Sequence, residues 1–185
     1  MREYNIFKKI LPLKAVLLDV DGVMTPGGIW YSDSGDQFKR FDVRDGLGLI
    51  ALSEVGIRLG IITGKQSKLL EKRASELRIE KVYQKTPFKV PALTDFAESF
   101  DLKLEEIAFI GDDVIDIPAM ELCGFSACPG DAPYTVKRVV DWQMRASAGF
   151  GALREISELI IAAKGTGFPA DDILLDWARK LSFKS

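Results

Sequence analysis

A chain of 185 residues with 47 % apolar content is long enough for one domain with a substantial core, and its 25 basic and 27 acidic residues form no block suited to nucleic acid or a membrane surface. The absence of histidine excludes imidazole zinc sites and any Ser-His or Cys-His mechanism, and Cys123 and Cys128 alone make a poor zinc site. The N-terminus lacks a long apolar h-region, and no run approaches the ~20 apolar residues of a membrane helix, so the expectation is a soluble cytoplasmic protein with reduced thiols.

In chain order, apolar runs of strand length alternate with stretches of helical period. KAVLLD precedes DGLGLIALSEV, IRLGIIT precedes KQSKLLEKRASEL, KVYQ precedes FKVPALTDFAESF, EIAFIGD precedes IPAMELC, and GFSAC precedes APYTVKRV. This alternation predicts an α/β fold, a three-layer sandwich with a central parallel sheet covered by helices on both faces. Unbroken apolar character in AVLLD, LGIIT and AFIGD marks the middle strands.

Between the first strand and its helix, GGIWYSDSGDQFKRFDV (residues 27–43) reads as an inserted β-hairpin turning at Asp33 to Asp36, too short to be a second domain. Ile29, Trp30, Tyr31, Phe38 and Phe41 give it more apolar surface than a lone ribbon keeps in water. Either it folds back on its own sheet or another subunit covers it. The main domain spans 1–164. Beyond Lys164, glycine and proline precede a renewed helical pattern of Ile173, Leu174, Trp177 and Leu181, so 165–185 reads as a helical C-terminal tail.

In open parallel sheets ligands bind beyond the carboxyl ends of the strands, where loops converge and helix N-termini point inward. The residues at those ends are Asp19 and Asp21, then Thr63 and Gly64, then Lys89, then Asp112, Asp113 and Asp116. Carboxylates so close raise one another's pKa and stay ionised only beside a cation. Oxygen ligands without His or Cys favour Mg²⁺, which accepts one or two carboxylates together with a substrate phosphate. Lys89 adds positive charge for that phosphate. Of the two aspartates, one can attack phosphorus while the other gives a proton to the leaving alkoxide and then activates water; Gly22 permits the turn that lets both face the crevice. Singly, each piece has a plainer reading: a turn at the aspartates, a helix N-cap at Thr63, a solvated Lys89, an Asx turn in GDDVID. Their order, each at a strand end, favours a site.

These motifs resemble those of the haloacid dehalogenase superfamily: DVDGVMT its first, IITGK its second, the lysine of TPFKVPAL its third and IGDDVIDIPAM its fourth. The resemblance implies Asp19 as the nucleophile that forms an aspartyl-phosphate and Asp21 as general acid/base. It implies Thr63, Gly64 and Lys89 as phosphoryl binders. Asp19, the main-chain carbonyl of Asp21 and Asp112 would bind Mg²⁺, supported by Asp113 and Asp116. Over residues 13–164, FDVRDGLG, YQKTPFK and GFGALREISELI are similar to the 3-deoxy-D-manno-octulosonate 8-phosphate phosphatases. That narrower likeness implies no mobile cap, hairpins that assemble a homotetramer, a small phosphorylated sugar acid as substrate and a place in lipopolysaccharide precursor synthesis. It makes Arg44 a candidate for the substrate carboxylate, with an ion pair to Asp42 or Asp45 as the alternative. Phe150 stands where that family often carries a basic residue, a change that would weaken recognition of an acidic sugar. Phosphatases of nine-carbon ulosonate 9-phosphates, and a non-catalytic tetramerisation module like that appended to some acylneuraminate cytidylyltransferases, are the alternatives.

Overall fold

The computed structural model describes residues 2–34 and 37–165. It runs from helix α1 (Arg2–Ile10) and strand β1 (Ala15–Leu18) through a hairpin of β2 (Trp30–Tyr31) and β3 (Gln37–Phe38). The chain then alternates: α2 (Val43–Glu54), β4 (Arg58–Ile62), α3 (Lys68–Glu76), β5 (Lys81–Tyr83), α4 (Lys89–Ser99), β6 (Ile107–Ile110) and α5 (Ile117–Leu122). It closes with β7 (Phe125–Cys128), α6 (Tyr134–Lys137), β8 (Trp142–Gln143) and α7 (Ala152–Lys164).

Six strands form one sheet in the order β5-β4-β1-β6-β7-β8, every neighbouring pair parallel. The strands with continuous apolar sequences occupy its centre. Val16 lies between Leu59 and Ala108, and Leu18 between Ile61 and Ile110. Residues alternate between faces along a strand, so β1 feeds two cores. Val16 and Leu18 join α1, α2, α3 and α7 on one face; Ala15 and Leu17 join α4, α5 and α6 on the other. This is the predicted three-layer α/β sandwich.

α2 and α7 pack closely because Gly48 has no side chain. A Cβ there would stand 2.9 Å from Ser157 Oγ and 3.0 Å from Arg154 Cα. α2 also caps α7. Gly151 supplies no side chain to the exposed N–H groups of α7, so the buried carboxylate of Asp45 accepts from Gly151 N at 3.3 Å and Arg154 N at 2.9 Å. Burial is the larger influence on Asp45 and pushes its pKa upward, against the hydrogen bonds.

α1, α7 and β8 escaped the sequence pattern. α1 lies in the segment read only for targeting signals, and it inserts Ile6 and Ile10 into the core. β8 has two residues, too few for a periodicity. The hairpin is present, with Trp30 opposite Phe38. Trp30 and Tyr31 are 61 % and 65 % exposed, so this strand does not fold back on the sheet, whereas Phe41 at the hairpin's base packs against the core. The helical tail read at 165–185 lies outside the described residues, Gly165 excepted, as do residues 35 and 36 of the hairpin turn.

Candidate active site

The site is assembled from four chain crossings at the carboxyl end of the sheet. Asp19 follows β1 directly, and its N–H donates to Ile110 O at 2.9 Å, which extends the pairing with β6 by one residue. The chain then curls back: Met24 N and Thr25 N both donate to Val20 O, at 2.9 and 3.1 Å, and Gly22 takes a left-handed φ of 95°. A Cβ on Gly22 would lie 2.0 Å from Asp112 Oδ2, so this glycine lets the first loop press against the carboxylate that follows β6.

Thr63 follows β4, and its N–H donates to Tyr83 O at 2.8 Å. Its hydroxyl accepts from Lys65 N at 3.3 Å, and the next residue, Gly64, is exposed. Lys89, the first residue of α4, runs inward until its side chain is 1 % exposed. Its Nζ donates to Asp19 Oδ1 at 2.6 Å and Ile62 O at 2.7 Å, and stands 3.5 Å from Asp116 Oδ1. After β6, Asp116 is fully buried and fixes the loop, its Oδ2 accepting from Asp112 N at 3.1 Å and Asp113 N at 3.2 Å. Asp113 is exposed and accepts from Val114 N at 2.7 Å.

Oxygens of Asp19, Asp112 and Asp116 lie within 4.8 Å of one another. Burial, followed by the charge of Asp19 and Asp116, raises the Asp112 carboxyl to about 7. Burial and Asp19 raise Asp116 to about 6. Burial also raises Asp19, against the opposing pull of Lys89. One ammonium therefore does not neutralise the cluster. Asp112 Oδ1 and Asp116 Oδ1 are buried without a hydrogen-bond partner. Carboxylate oxygens without hydrogen-bond donors, no imidazole or thiolate in the cluster and an unmet demand for positive charge together fit a hard divalent cation such as Mg²⁺.

The fold thus brings Asp19, Lys89, Asp112 and Asp116 into one cluster, with Thr63 next to the Ile62 carbonyl that Lys89 meets. Asp116, read from sequence as a supporting residue, provides the third carboxylate. Asp21 faces two lysines that the sequence reading passed over. Lys39 bonds its Oδ1, and Lys65 Nζ stands 3.7 Å from its Oδ2. Lys65 carried a signal, being two residues beyond the strand-end Thr63. Lys39 carried none beyond membership of the hairpin.

Arg44 stands apart from these contacts. Its Nε and Nη2 donate to Asp42 Oδ1 and Oδ2, each at 3.2 Å, and its side chain is 67 % exposed. The Arg44 hydrogen bond holds the Asp42 carboxyl down at about 2. Of the two alternative partners, Asp42 makes this pair, while Asp45 caps α7. The Arg40 guanidinium lies 4.0 Å over the Phe150 ring and bonds Gly149 O, so a cation does reach the loop where Phe150 stands.

Residues 62–155 match the family model for haloacid dehalogenase-like hydrolases. The chain belongs to that family. It is 37 % identical over 158 residues to the 3-deoxy-D-manno-octulosonate 8-phosphate phosphatase of Haemophilus influenzae, covering 85 % of this chain and 88 % of that one. The fold matches the corresponding phosphatase of Moraxella catarrhalis, solved with magnesium ion, phosphate ion and KDO, with a TM-score of 0.89 and 35 % identity over 96 % of this chain and 99 % of that one. A cobalt-bound structure of the Haemophilus influenzae phosphatase matches with a TM-score of 0.84 and 36 % identity, covering 90 % and 99 %. This member of the hydrolase family is a phosphoric monoester hydrolase. Among the described residues, no helix is long and apolar enough to cross a membrane.

Proposed function

We propose that this hydrolase cleaves 3-deoxy-D-manno-octulosonate 8-phosphate to the free sugar acid and inorganic phosphate, in the cytoplasm, as a step in making lipopolysaccharide precursor. The observation that carries this reading is the buried Lys89–Asp19 pair set against Asp112 and Asp116 at the strand ends. The similarity to the Haemophilus and Moraxella phosphatases supports the choice of sugar. Residues 1–164 constitute the catalytic unit.

Asp19 attacks phosphorus, the bond from phosphorus to the sugar oxygen breaks, and Asp21 gives its proton to that oxygen. Water then bonds phosphorus while losing a proton to Asp21. The acyl-phosphate bond to Asp19 breaks, which restores both carboxyl groups and frees phosphate. Lys89, the Thr63 hydroxyl and the Gly64 main chain hold the phosphoryl oxygens. Bound Mg²⁺ would supply charge for the same oxygens, held by Asp19, Asp112 and the main-chain carbonyl of Asp21, with Asp113 and Asp116 in support. Arg44 would meet the substrate carboxylate by leaving Asp42, an exchange its exposure permits.

The exposed Ile29, Trp30, Tyr31 and Phe38 support a homotetramer assembled through the hairpin. Light scattering is expected to give a tetramer; a concentration-independent monomer would remove that part of the reading. The function is tested by phosphate release, with and without Mg²⁺, across eight- and nine-carbon ulosonate phosphates and simple hexose phosphates. Preference for the eight-carbon ester supports the reading. Preference for a nine-carbon ester moves the substrate, and no release from any ester leaves only the assembly module.

A further inference from the structure

Lys39 directly follows the return strand of the inserted hairpin, β3, outside every motif that carries the chemistry proposed above. Its side chain is nevertheless only 10 % exposed, and its ammonium bonds Asp21 Oδ1. That oxygen also faces the Thr25 hydroxyl at 3.5 Å. Asp21 Oδ2 differs: it is buried, has no hydrogen-bond partner and meets Lys65 Nζ only at 3.7 Å. One oxygen of the carboxyl group is held by a direct hydrogen bond, the other only by a longer ion pair.

We infer that Lys39 is a positioning residue for proton transfer: by anchoring Oδ1 it fixes the Asp21 carboxyl group so that Oδ2 is the oxygen that exchanges a proton with the leaving group. The hairpin root is built to hold Lys39 in place. The next residue, Arg40, bonds Gly149 O and stacks on Phe150. Gly149 N in turn donates to Val23 O at 3.2 Å, inside the loop that carries Asp21. Lys39 and Lys65 also line a cavity of about 70 Å³ with Gly28, Ile29, Tyr31 and Phe38, so the lysine stem runs beneath the hairpin and not into solvent. A carboxyl group free to rotate would spend part of its time with its proton-carrying oxygen misdirected, and such misplacement is costly in catalysis.

This inference rests on the phosphatase reading, and its test separates the two. The readout is kcat/KM, which covers steps only as far as departure of the leaving group. In Lys39→Met, kcat/KM for a sugar phosphate, whose alkoxide needs a proton, is expected to fall by about tenfold or more. For 4-nitrophenyl phosphate, whose phenolate leaves unprotonated, the change is expected to stay within about twofold, since general-acid assistance is not needed there. Lys39→Arg, which keeps a cationic donor, should recover most of the loss. Should Lys39→Met fail to fold by circular dichroism, Lys39→Gln is read by the same criterion. Equal losses on both esters, or none on either, overturn the inference alone. Absence of turnover of both esters by the wild-type protein overturns the phosphatase reading and the inference together.

Discussion

Lys89 Nζ donates to Asp19 Oδ1 at 2.6 Å across 70 residues of sequence, and the pair is almost wholly shielded from water. Breaking a buried ion pair from one side leaves the other charge uncompensated, at a cost of about 3–5 kcal/mol. Lys89→Met is therefore expected to lower stability by about 3 kcal/mol in the absence of divalent cation. On the proposed mechanism, in which Lys89 is a donor to the phosphoryl group, turnover should fall by at least about a hundredfold. Urea unfolding and phosphate release check the two effects; a variant of unchanged stability would mean that the pair is not buried in solution.

Asp19→Asn removes the proposed nucleophile while preserving its shape. Turnover is expected to fall by at least about a thousandfold with the circular dichroism spectrum unchanged. Near-wild-type turnover would rule out covalent catalysis by this residue.

Gly22→Ala tests the contact between the first loop and Asp112. The new methyl group would meet Asp112 Oδ2 at 2.0 Å on a backbone whose φ of 95° already disfavours a side chain. Calorimetric titration with Mg²⁺ should show affinity at least about tenfold weaker, equivalent to about 1.4 kcal/mol. Unchanged affinity would show that the loops separate without consequence for the cation.

Asp112 at about 7 and Asp116 at about 6 stand above the unfolded value of about 3.9. The folded state therefore binds more protons than the unfolded one. The associated stability is fully present below the unfolded pKa and is lost as pH rises through the folded values. Without divalent cation, Tm should fall from pH 5 to pH 8, and added Mg²⁺ should raise Tm more at pH 8 than at pH 5. A Mg²⁺ effect independent of pH over that window would contradict cation binding at this cluster.

Asp45→Asn keeps the size of the α7 cap and removes its charge. Two N–H groups lose a charged acceptor, and a loss of about 1–2 kcal/mol is expected in chemical denaturation, with activity retained once folded. A fully neutral effect would place the capping energy elsewhere.

The sheet was legible because strands buried on both faces must be apolar, as β1, β6 and, beyond Arg58, β4 are. The strand-end rule then located Asp19, Thr63, Lys89 and Asp112 with no knowledge of their side-chain directions. It could not show that Asp116 points inward and Asp113 outward, since both follow the same strand and differ only in how the loop turns. Nor could it pair Lys39 with Asp21, a contact made by a hairpin whose path depends on tertiary packing. α1 was illegible for a different reason: the amphipathic face holding Ile6 and Ile10 is short, and its partner helix α7 lies at the far end of the domain's sequence.

The hairpin that delivers Lys39 joins the sheet only at its two ends, inside the crossover from β1 to α2. Its outer part can thus change while Lys39 and Arg40 at its root, and the strands below, stay fixed. Selection for a different phosphate ester can act on that outer part without rebuilding the strand-end cluster beneath it, which makes this part of the chain the natural starting point for directed evolution of substrate range.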